Sequence, residues 1–445
     1  MKVLILGLGL HGGGFAAATY FRDRGDTVYV TDTAEREKFS TIPDILEEKG
    51  IKCFFGPQSK EQIQWADIVI KNPAIPATSP LLTYAKQIES DISMLFKHPD
   101  IAKIKIICVT GTKGKTTTVS ALTEALTHLG KDCYLCGNVG ISAFFALKEI
   151  EKRKAEKRAL FDYLIIELSS WQIHDAYISL QGKWPKMEMV ILTNIYLDHQ
   201  NTYSSLYTYT NDKLQLFTAP CNYRLVPTNK RSLFKKSLNI SKLPITTFPS
   251  LFNPFKKYKT QLIPSYDALR LLKVSKAYAI HLLNNYKGTP HRCEQIALKN
   301  DIMYVNDSAA TIAEAVNFST SNIKPLSFHL ICGGTDKNLP PEKMSKSLKD
   351  ASSIVLLDGS FTRHKLIPLI EKLKLSYLGP YKTMRDAFML ANALAIAKRN
   401  STKQTQVVIL SPGAASFELF TNEFARGDAF KKEVVDYISG SDDTE

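Results

Sequence analysis

Short apolar runs recur along this chain, and each gap between them is long enough for a helix. The runs cover residues 3–6, 27–31, 68–70, 104–109, 163–168, 190–193, 329–332, 354–357 and 407–410, and glycine, asparagine or proline commonly follows. Runs of this length alternating with helical patterns predict βαβ units around mainly parallel sheets. Three blocks can be drawn. The first, residues 1–97, opens with strand, glycine turn and helix. The second, 98–289, begins with a strand that feeds a second glycine-rich loop. The third, 290–445, follows the hinge-like Lys287-Gly288-Thr289-Pro290. Residues 220–265 are rich in proline, lysine and serine without clear periodicity and read as irregular.

Composition narrows the class. At roughly 150 residues per domain, a chain of 445 suits two to four domains. Apolar residues make up 44% and charged residues 22%, an ordinary globular balance. No run approaches the ~18 apolar residues of a membrane span. Met1-Lys2 leads into an apolar run that Gly7-Leu8-Gly9-Leu10-His11-Gly12 interrupts, with no small-residue cleavage site after it. The expectation is a cytoplasmic protein without a membrane partner. Seven cysteines, an odd number spread over a long chain, argue against a disulfide framework. Cys133-Tyr-Leu-Cys136 lies in a strand-like run with no second ligand pair nearby and reads as core. The net charge of +14 is diffuse. The densest run, residues 148–158, carries three glutamates and reads as a solvated helix or loop. Without a zinc-finger or RNA-recognition signature, no nucleic-acid partner is expected, and polyanionic small substrates account for the sign.

The chemistry concentrates at Thr110-Gly111-Thr112-Lys113-Gly114-Lys115-Thr116-Thr117-Thr118. A buried strand enters and a threonine-rich helix start leaves. Gly111 and Gly114 let backbone N–H groups turn toward phosphate oxygens, and the helix N-terminus adds partial positive charge. Lys115 is placed for the β- and γ-phosphates of ATP, and the Thr116 hydroxyl for Mg²⁺. The longer phosphate-loop pattern would need glycine at Val109, so the form here is the shorter one. Upstream, Gly7-x-Gly9-x-x-Gly12 follows a strand, and Asp32 ends the next one. That fingerprint suits NAD or the diphosphate of another nucleotide. With a second phosphate loop in the next block, two different nucleotide ligands are the better expectation than a dehydrogenase.

Further motifs line up in one order: Gly137-Asn-Val-Gly140, Glu167-Leu-Ser-Ser-Trp-Gln172, Asn194 with Asp198-His199, Lys213 in Asn-Asp-Lys-Leu, and Pro290-His-Arg-Cys-Glu294. Asn306-Asp-Ser308, Gly333-Gly-Thr-Asp-Lys337 and Ser411-Pro-Gly-Ala-Ala-Ser416-Phe complete the series. Over essentially its whole length the chain resembles the Mur ligases of peptidoglycan synthesis. The closing motif, followed by Ala-Arg426-Gly427-Asp428, resembles the branch that adds D-glutamate to UDP-N-acetylmuramoyl-L-alanine. The Asp-Asn-Pro-Arg of the diamino-acid branch is missing from the sequence.

The resemblance implies an α/β chain of three domains: an N-terminal Rossmann-like domain for the UDP precursor, a central P-loop ATPase-like parallel-sheet domain, and a C-terminal Rossmann-like domain for the amino acid. It implies ATP-driven amide synthesis through an acyl phosphate, two Mg²⁺ ions and a monomeric enzyme. Gly111, Thr112, Lys113, Gly114, Lys115, Thr116 and Thr117 would hold ATP, together with Arg292 and Asp307. Thr116, Glu167, His199 and Lys213 would hold the metal ions, Lys213 as a carbamate. Lys115, Asn138, His199 and Lys213 would act in catalysis. Leu10, His11, Asp32, Thr33, Asn72 and neighbouring Ala74, with Asn138, Ser169 and Gln172, would take the UDP precursor. Thr311, Lys337, Ser416 and Phe424 would receive D-glutamate. Some positions depart from the family. Ala309 stands where a lysine near D-glutamate is usual, Ala34 where an arginine near the uridine is, and Asn201-Thr-Tyr203 where Asp-Arg-Tyr is. No Gly-x-His-Asn-x-x-Asn occurs between 255 and 285. A ligase of the same class with another acceptor, including the folylpolyglutamate type, is one alternative. A non-ligating nucleotide-binding regulator is a second, disfavoured by the presence of Glu167, His199 and Lys213.

Overall fold

The computed structural model describes residues 1–9, 12–39, 41–196, 205–230, 246–248, 262–286, 288–336 and 340–440. Three sheets carry the chain, and the expected α/β class with parallel sheets holds. The first contains β1 (Lys2–Leu6), β2 (Thr27–Asp32), β3 (Lys52–Phe55), β4 (Ile68–Lys71) and β5 (Ile88–Glu89), in the order β3-β2-β1-β4-β5. All its pairings are parallel. The order reverses between β1 and β4, and in such sheets ligands bind in the crevice beyond the strand ends at that point. The glycine turn follows β1 and Asn72 follows β4.

The second sheet contains β6 (Lys105–Thr110), β7 (Cys133–Gly137), β8 (Tyr163–Glu167), β9 (Met187–Leu192), β10 (Cys221–Pro227) and β11 (Thr246–Phe248). Its order is β11-β10-β9-β6-β8-β7, again all parallel. The reversal here lies between β6 and β9, where the phosphate loop leaves. β10 and β11, and the helix that begins at Ile263, correct the irregular reading of 220–265 where that range is described; 231–245 and 249–261 lie outside the described residues. The apolar run of β10 is interrupted by Arg224, yet that side chain is buried and donates to the carbonyls of Phe217 (2.9 Å) and Ala219 (2.5 Å).

The third sheet contains β12 (Glu294–Lys299), β13 (Ile302–Asn306), β14 (Ser327–Cys332), β15 (Ser353–Leu357), β16 (Leu378–Tyr381) and β17 (Gln406–Leu410). Its order is β12-β13-β17-β14-β15-β16, parallel except for the antiparallel edge strand β12.

The chain forms two compact units. One holds the first two sheets, Met1–Tyr196 with Ser205–Tyr286, and the other the third sheet, 288–440. In the first unit a single apolar core runs through both sheets, from Val3 and Phe21 to Phe144 and Ile166. Phe21 and Phe144 meet edge to face at 5.7 Å. The charged run 148–158 lies mainly on the helix Ala143–Ala155 with residues 152 and 154–158 exposed, as a solvated helix would be, and several of its charges are paired as well. Lys148 binds Asp23 at 2.7 Å, Glu151 accepts from Tyr20 and Arg24, and buried Arg153 lies 3.9 Å from the Phe161 ring centroid. Cys133 and Cys136 are free thiols on β7, and burial pushes Cys133 up to about 11, so the core reading of this pair holds. Among the described residues no helix is long and apolar enough to cross a membrane.

Candidate active site

The phosphate loop needs glycine for two separate reasons. Gly111 has φ +142°, and a Cβ there would lie 2.0 Å from Thr193 Oγ1. Gly114 sits at φ +83° as the N-cap of the helix Lys115–His128. The loop is then braced from the end of β9. Thr193 Oγ1 donates to Lys113 O at 2.7 Å. The Asn194 side chain accepts from Lys113 N at 2.9 Å and donates to Lys113 O at 2.8 Å. Thr112 Oγ1 accepts from Tyr196 N at 3.0 Å and from the buried Tyr209 hydroxyl at 3.1 Å. Lys115 Nζ donates to Thr112 O at 3.2 Å, folded over the loop it would share with phosphate. Thr116 is half-buried and Thr117 buried in the first helical turn. Thr193 and Tyr209 had no role in the sequence reading, because a hydroxyl reaching across about 80 to 100 residues of chain leaves no local pattern.

Beside this loop β8 ends on Glu167, which is 1% exposed. The strand ends are tied together, with Leu168 N donating to Val109 O and Thr110 Oγ1 to Leu168 O, both at 2.9 Å. Glu167 Oε1 accepts from Asn138 Nδ2 at 2.8 Å, whereas Oε2 is buried with no hydrogen-bond partner among the described residues. Gly137 closes over the strand end, since a Cβ there would lie 2.2 Å from Glu167 O. A buried carboxylate oxygen left bare is costly unless a cation or donor completes it. A hard oxygen donor of this kind, with the Thr116 hydroxyl at the neighbouring helix start, fits Mg²⁺. Lys213, on the helix Leu206–Gln215, is 2% exposed, its ammonium 4.4 Å from the Tyr209 ring centroid. His199 lies outside the described residues.

Ser169 and Gln172 have a local explanation. They form a reciprocal capping box at the start of the helix Ser170–Ser179, Gln172 N donating to Ser169 Oγ at 3.2 Å and Ser169 N to Gln172 Oε1 at 3.1 Å. At the first glycine turn, Asp32 accepts from Gly9 N at 3.2 Å and Ala34 N at 2.9 Å, so it braces the turn. Asn72 donates to Gly7 O at 3.4 Å and accepts from Ala74 N at 3.0 Å. Thr33 is exposed beside them. Leu10 and His11 lie outside the described residues.

In the second unit, Arg292 sits between two residues with left-handed backbones, His291 at φ 61° and Cys293 at φ 49°. Such strain persists only where the surroundings enforce it. Gly427 leaves room for the His291 ring, since a Cβ there would lie 2.1 Å from His291 Nδ1. Arg426, 1% exposed, clamps the strand-end loops by donating to Ser308 O (2.9 Å), Ala414 O (3.1 Å) and Ala415 O (3.0 Å). Burial draws its guanidinium down to about 10. Thr311 and Ala309 are buried, Phe424 is 40% exposed, and Ser416 Oγ is buried without a hydrogen-bond partner among the described residues. Lys337 lies outside the described residues.

Asp307 accepts from Cys293 N at 3.1 Å, from Ser411 Oγ at 2.9 Å and from Ser319 Oγ. Burial outweighs those donors and pushes its carboxyl up to about 6. A raised carboxyl favours the folded state while protonated, and that advantage is lost as pH climbs from about 4 through about 6. Asp307→Asn should therefore stabilise this unit by at most about 3 kcal/mol at pH 8 and leave it unchanged near pH 4. Denaturant unfolding at the two pH values checks this, and an equal effect at both would contradict it.

The sequence signature of the Mur ligase middle domain matches residues 109–275, and that of the MurD-like N-terminal domain of Mur ligases matches residues 1–93. The UDP-N-acetylmuramoylalanine--D-glutamate ligase of Borreliella afzelii (strain PKo) is 32% identical, with 98% of each chain covered. The protein of the same name from Treponema pallidum (strain Nichols) is 26% identical over 97% of each chain. The UDP-N-acetylmuramate-alanine ligase MurC of Thermotoga maritima superposes with a TM-score of 0.59 at 16% identity, covering 99% of this chain and 100% of that one. The MurF ligase of the same organism, solved in complex with ADP, gives 0.57 at 15% identity, covering 92% and 96%. At such identities these two likenesses concern the fold.

Proposed function

This chain belongs to the Mur ligase family, from which we infer that it joins D-glutamate to the alanyl carboxylate of UDP-N-acetylmuramoyl-L-alanine as ATP is cleaved to ADP. It is an ATP-dependent amide ligase of peptidoglycan synthesis. The alanyl carboxylate oxygen attacks the γ-phosphorus, and ADP leaves. The D-glutamate nitrogen then attacks the acyl carbon, loses a proton, and inorganic phosphate departs. The protein's part in the first step is positioning and charge neutralisation.

The observation that best supports this reading is Glu167, a buried carboxylate with one bare oxygen, tied through its strand end to the phosphate loop. We assign Gly111 to Thr117 to the ATP phosphates, with Arg292 and Asp307 as further ATP contacts. Thr116, Glu167, His199 and carbamylated Lys213 would hold Mg²⁺, which supplies charge neutralisation when bound. Residues 1–97, with Asn138, would take the UDP precursor, 98–289 ATP, and 290–445 the amino acid through Thr311, Lys337, Ser416 and Phe424. Ser169 and Gln172 would serve by setting the helix start beside Glu167. We assign the enzyme to the cytoplasm, where ATP and nucleotide-linked precursors are made, as a monomer.

ADP release should appear only when UDP-N-acetylmuramoyl-L-alanine and D-glutamate are both present with Mg²⁺ and ATP. A coupled ADP assay measures it. Turnover with L-glutamate in place of the D isomer, or none with D-glutamate, would sink the acceptor assignment.

A further inference from the structure

The helix Ser170–Ser179 begins three residues after Glu167 and sends polar side chains to several other elements, three of them side chain to side chain. Gln172 Nε2 donates to Asp91 at 3.5 Å. Asp175 forms a buried ion pair with Lys71 at 2.7 Å, and Lys71 directly precedes Asn72. His174 Nδ1 meets Asp212 Oδ1 at 3.0 Å. Asp212 is the residue before Lys213, and the two helices are in direct contact.

The first two ties have evident structural uses, one completing a capped helix start and the other neutralising buried charge. The third is different. The His174 side chain is 32% exposed and that of Asp212 16%, so water can serve both groups and the pair adds little stability. What it does is fix an azimuth. Tyr209 anchors the first half of the helix Leu206–Gln215 to the phosphate loop through Thr112. In its last turn Gln215 O accepts from Trp184 Nε1 at 3.1 Å and Leu214 packs in the core, while the Asp212 contact ties the face that carries residue 213 to the helix that follows Glu167. A roll of about 20° about the helix axis would move a side-chain end by about 2 Å. Held at these points, it presents residue 213 in one place relative to both the loop and Glu167.

We propose that His174 is a positioning residue for the ligation reaction, acting through Asp212 to hold Lys213 at its working place. The inference rests on the reading of Lys213 as a reaction-site group. Outer partners that orient ligating groups are worth about 10- to 100-fold in activity or metal affinity. His174→Ala should lower kcat by about that factor, raise the Mg²⁺ concentration needed for half-maximal rate, and leave the KM for the UDP precursor nearly unchanged. His174→Asn, whose amide nitrogen can replace Nδ1 as donor to Asp212, should recover most of the loss. Neither should change the thermal unfolding temperature. Protein equilibrated with ¹³C-bicarbonate supplies an independent signal, a lysine carbamate resonance expected in the parent and weakened in His174→Ala. Parental kcat and Mg²⁺ dependence in His174→Ala would overturn the proposal. So would an Asn variant as impaired as the Ala variant, or losses that simply track unfolding. A parent without the carbamate resonance would instead overturn the carbamate at Lys213, and the kcat loss with Asn rescue would still decide the positioning role.

Discussion

Glu167→Gln is expected to lower kcat by about 10³-fold, in line with losing one preorganised electrostatic partner, while making the first unit more stable. Both effects come from the same atom. Oε1 already has its donor in Asn138 Nδ2, and glutamine retains an oxygen to accept that bond. Oε2 is buried with no hydrogen-bond partner among the described residues, so a carboxylate there lacks the solvation that water would give it. Neutralising it removes a desolvation cost of about 1 kcal/mol or more and the charge that a phosphate-bound cation would need. In a unit of this size each kcal/mol corresponds to about 2–4 °C in unfolding temperature. Steady-state rates at saturating substrates and a thermal melt measure the two halves. A destabilised variant with near-parental kcat would mean that Glu167 is a structural residue. Glu167→Ala separates charge from packing, because it should lose activity equally and also lose stability to the cavity it leaves.

The same contrast between packing and chemistry explains what the sequence disclosed. Strands such as β6 and β17 were legible because residues on both their faces are buried and therefore apolar, giving uninterrupted runs. β10 was hidden by one arginine whose burial depends on carbonyls that only the folded chain brings near. The run 148–158 is a largely exposed helix as its composition suggests, and only its pairings were hidden, because their partners Asp23, Tyr20 and Asp132 are contributed by distant segments. In the site, glycines were readable as turns, and the backbone places Gly111 and Gly114 at φ values that only glycine adopts freely. The braces around them were not readable. Thr193 and Tyr209 act through hydrogen bonds over long separations, and no period or spacing marks such residues. Ser169 and Gln172 carry the opposite lesson. Their Ser-x-x-Gln spacing is a helix-start signature in its own right, legible without any resemblance to a family.

Lys213→Ala should abolish most turnover, by about 10³-fold, with a much smaller change in UDP-precursor affinity, and a short carboxylate should restore part of it. The geometry sets up a choice between two charges. As an ammonium, Lys213 faces the Tyr209 ring at 4.4 Å, an arrangement that favours a cation. As a carbamate, formed when the neutral amine attacks CO₂ and releases a proton, it would be an anion able to hold Mg²⁺. Alanine leaves a buried space behind a side chain that is 2% exposed, and formate or acetate can enter it with oxygens where the carbamate would have them. Lys213→Arg discriminates further, since arginine keeps the positive charge, fills the space and cannot be carbamylated. If the working group is the anion, the Arg variant is as slow as the Ala variant and formate does not help it. If the working group is the cation, the Arg variant is the active one and formate rescues neither. Rates for the three proteins across a formate titration, with the precursor KM followed in each, decide between the two charges. A parental rate in Lys213→Ala would reject both and return Lys213 to the core as a packed lysine.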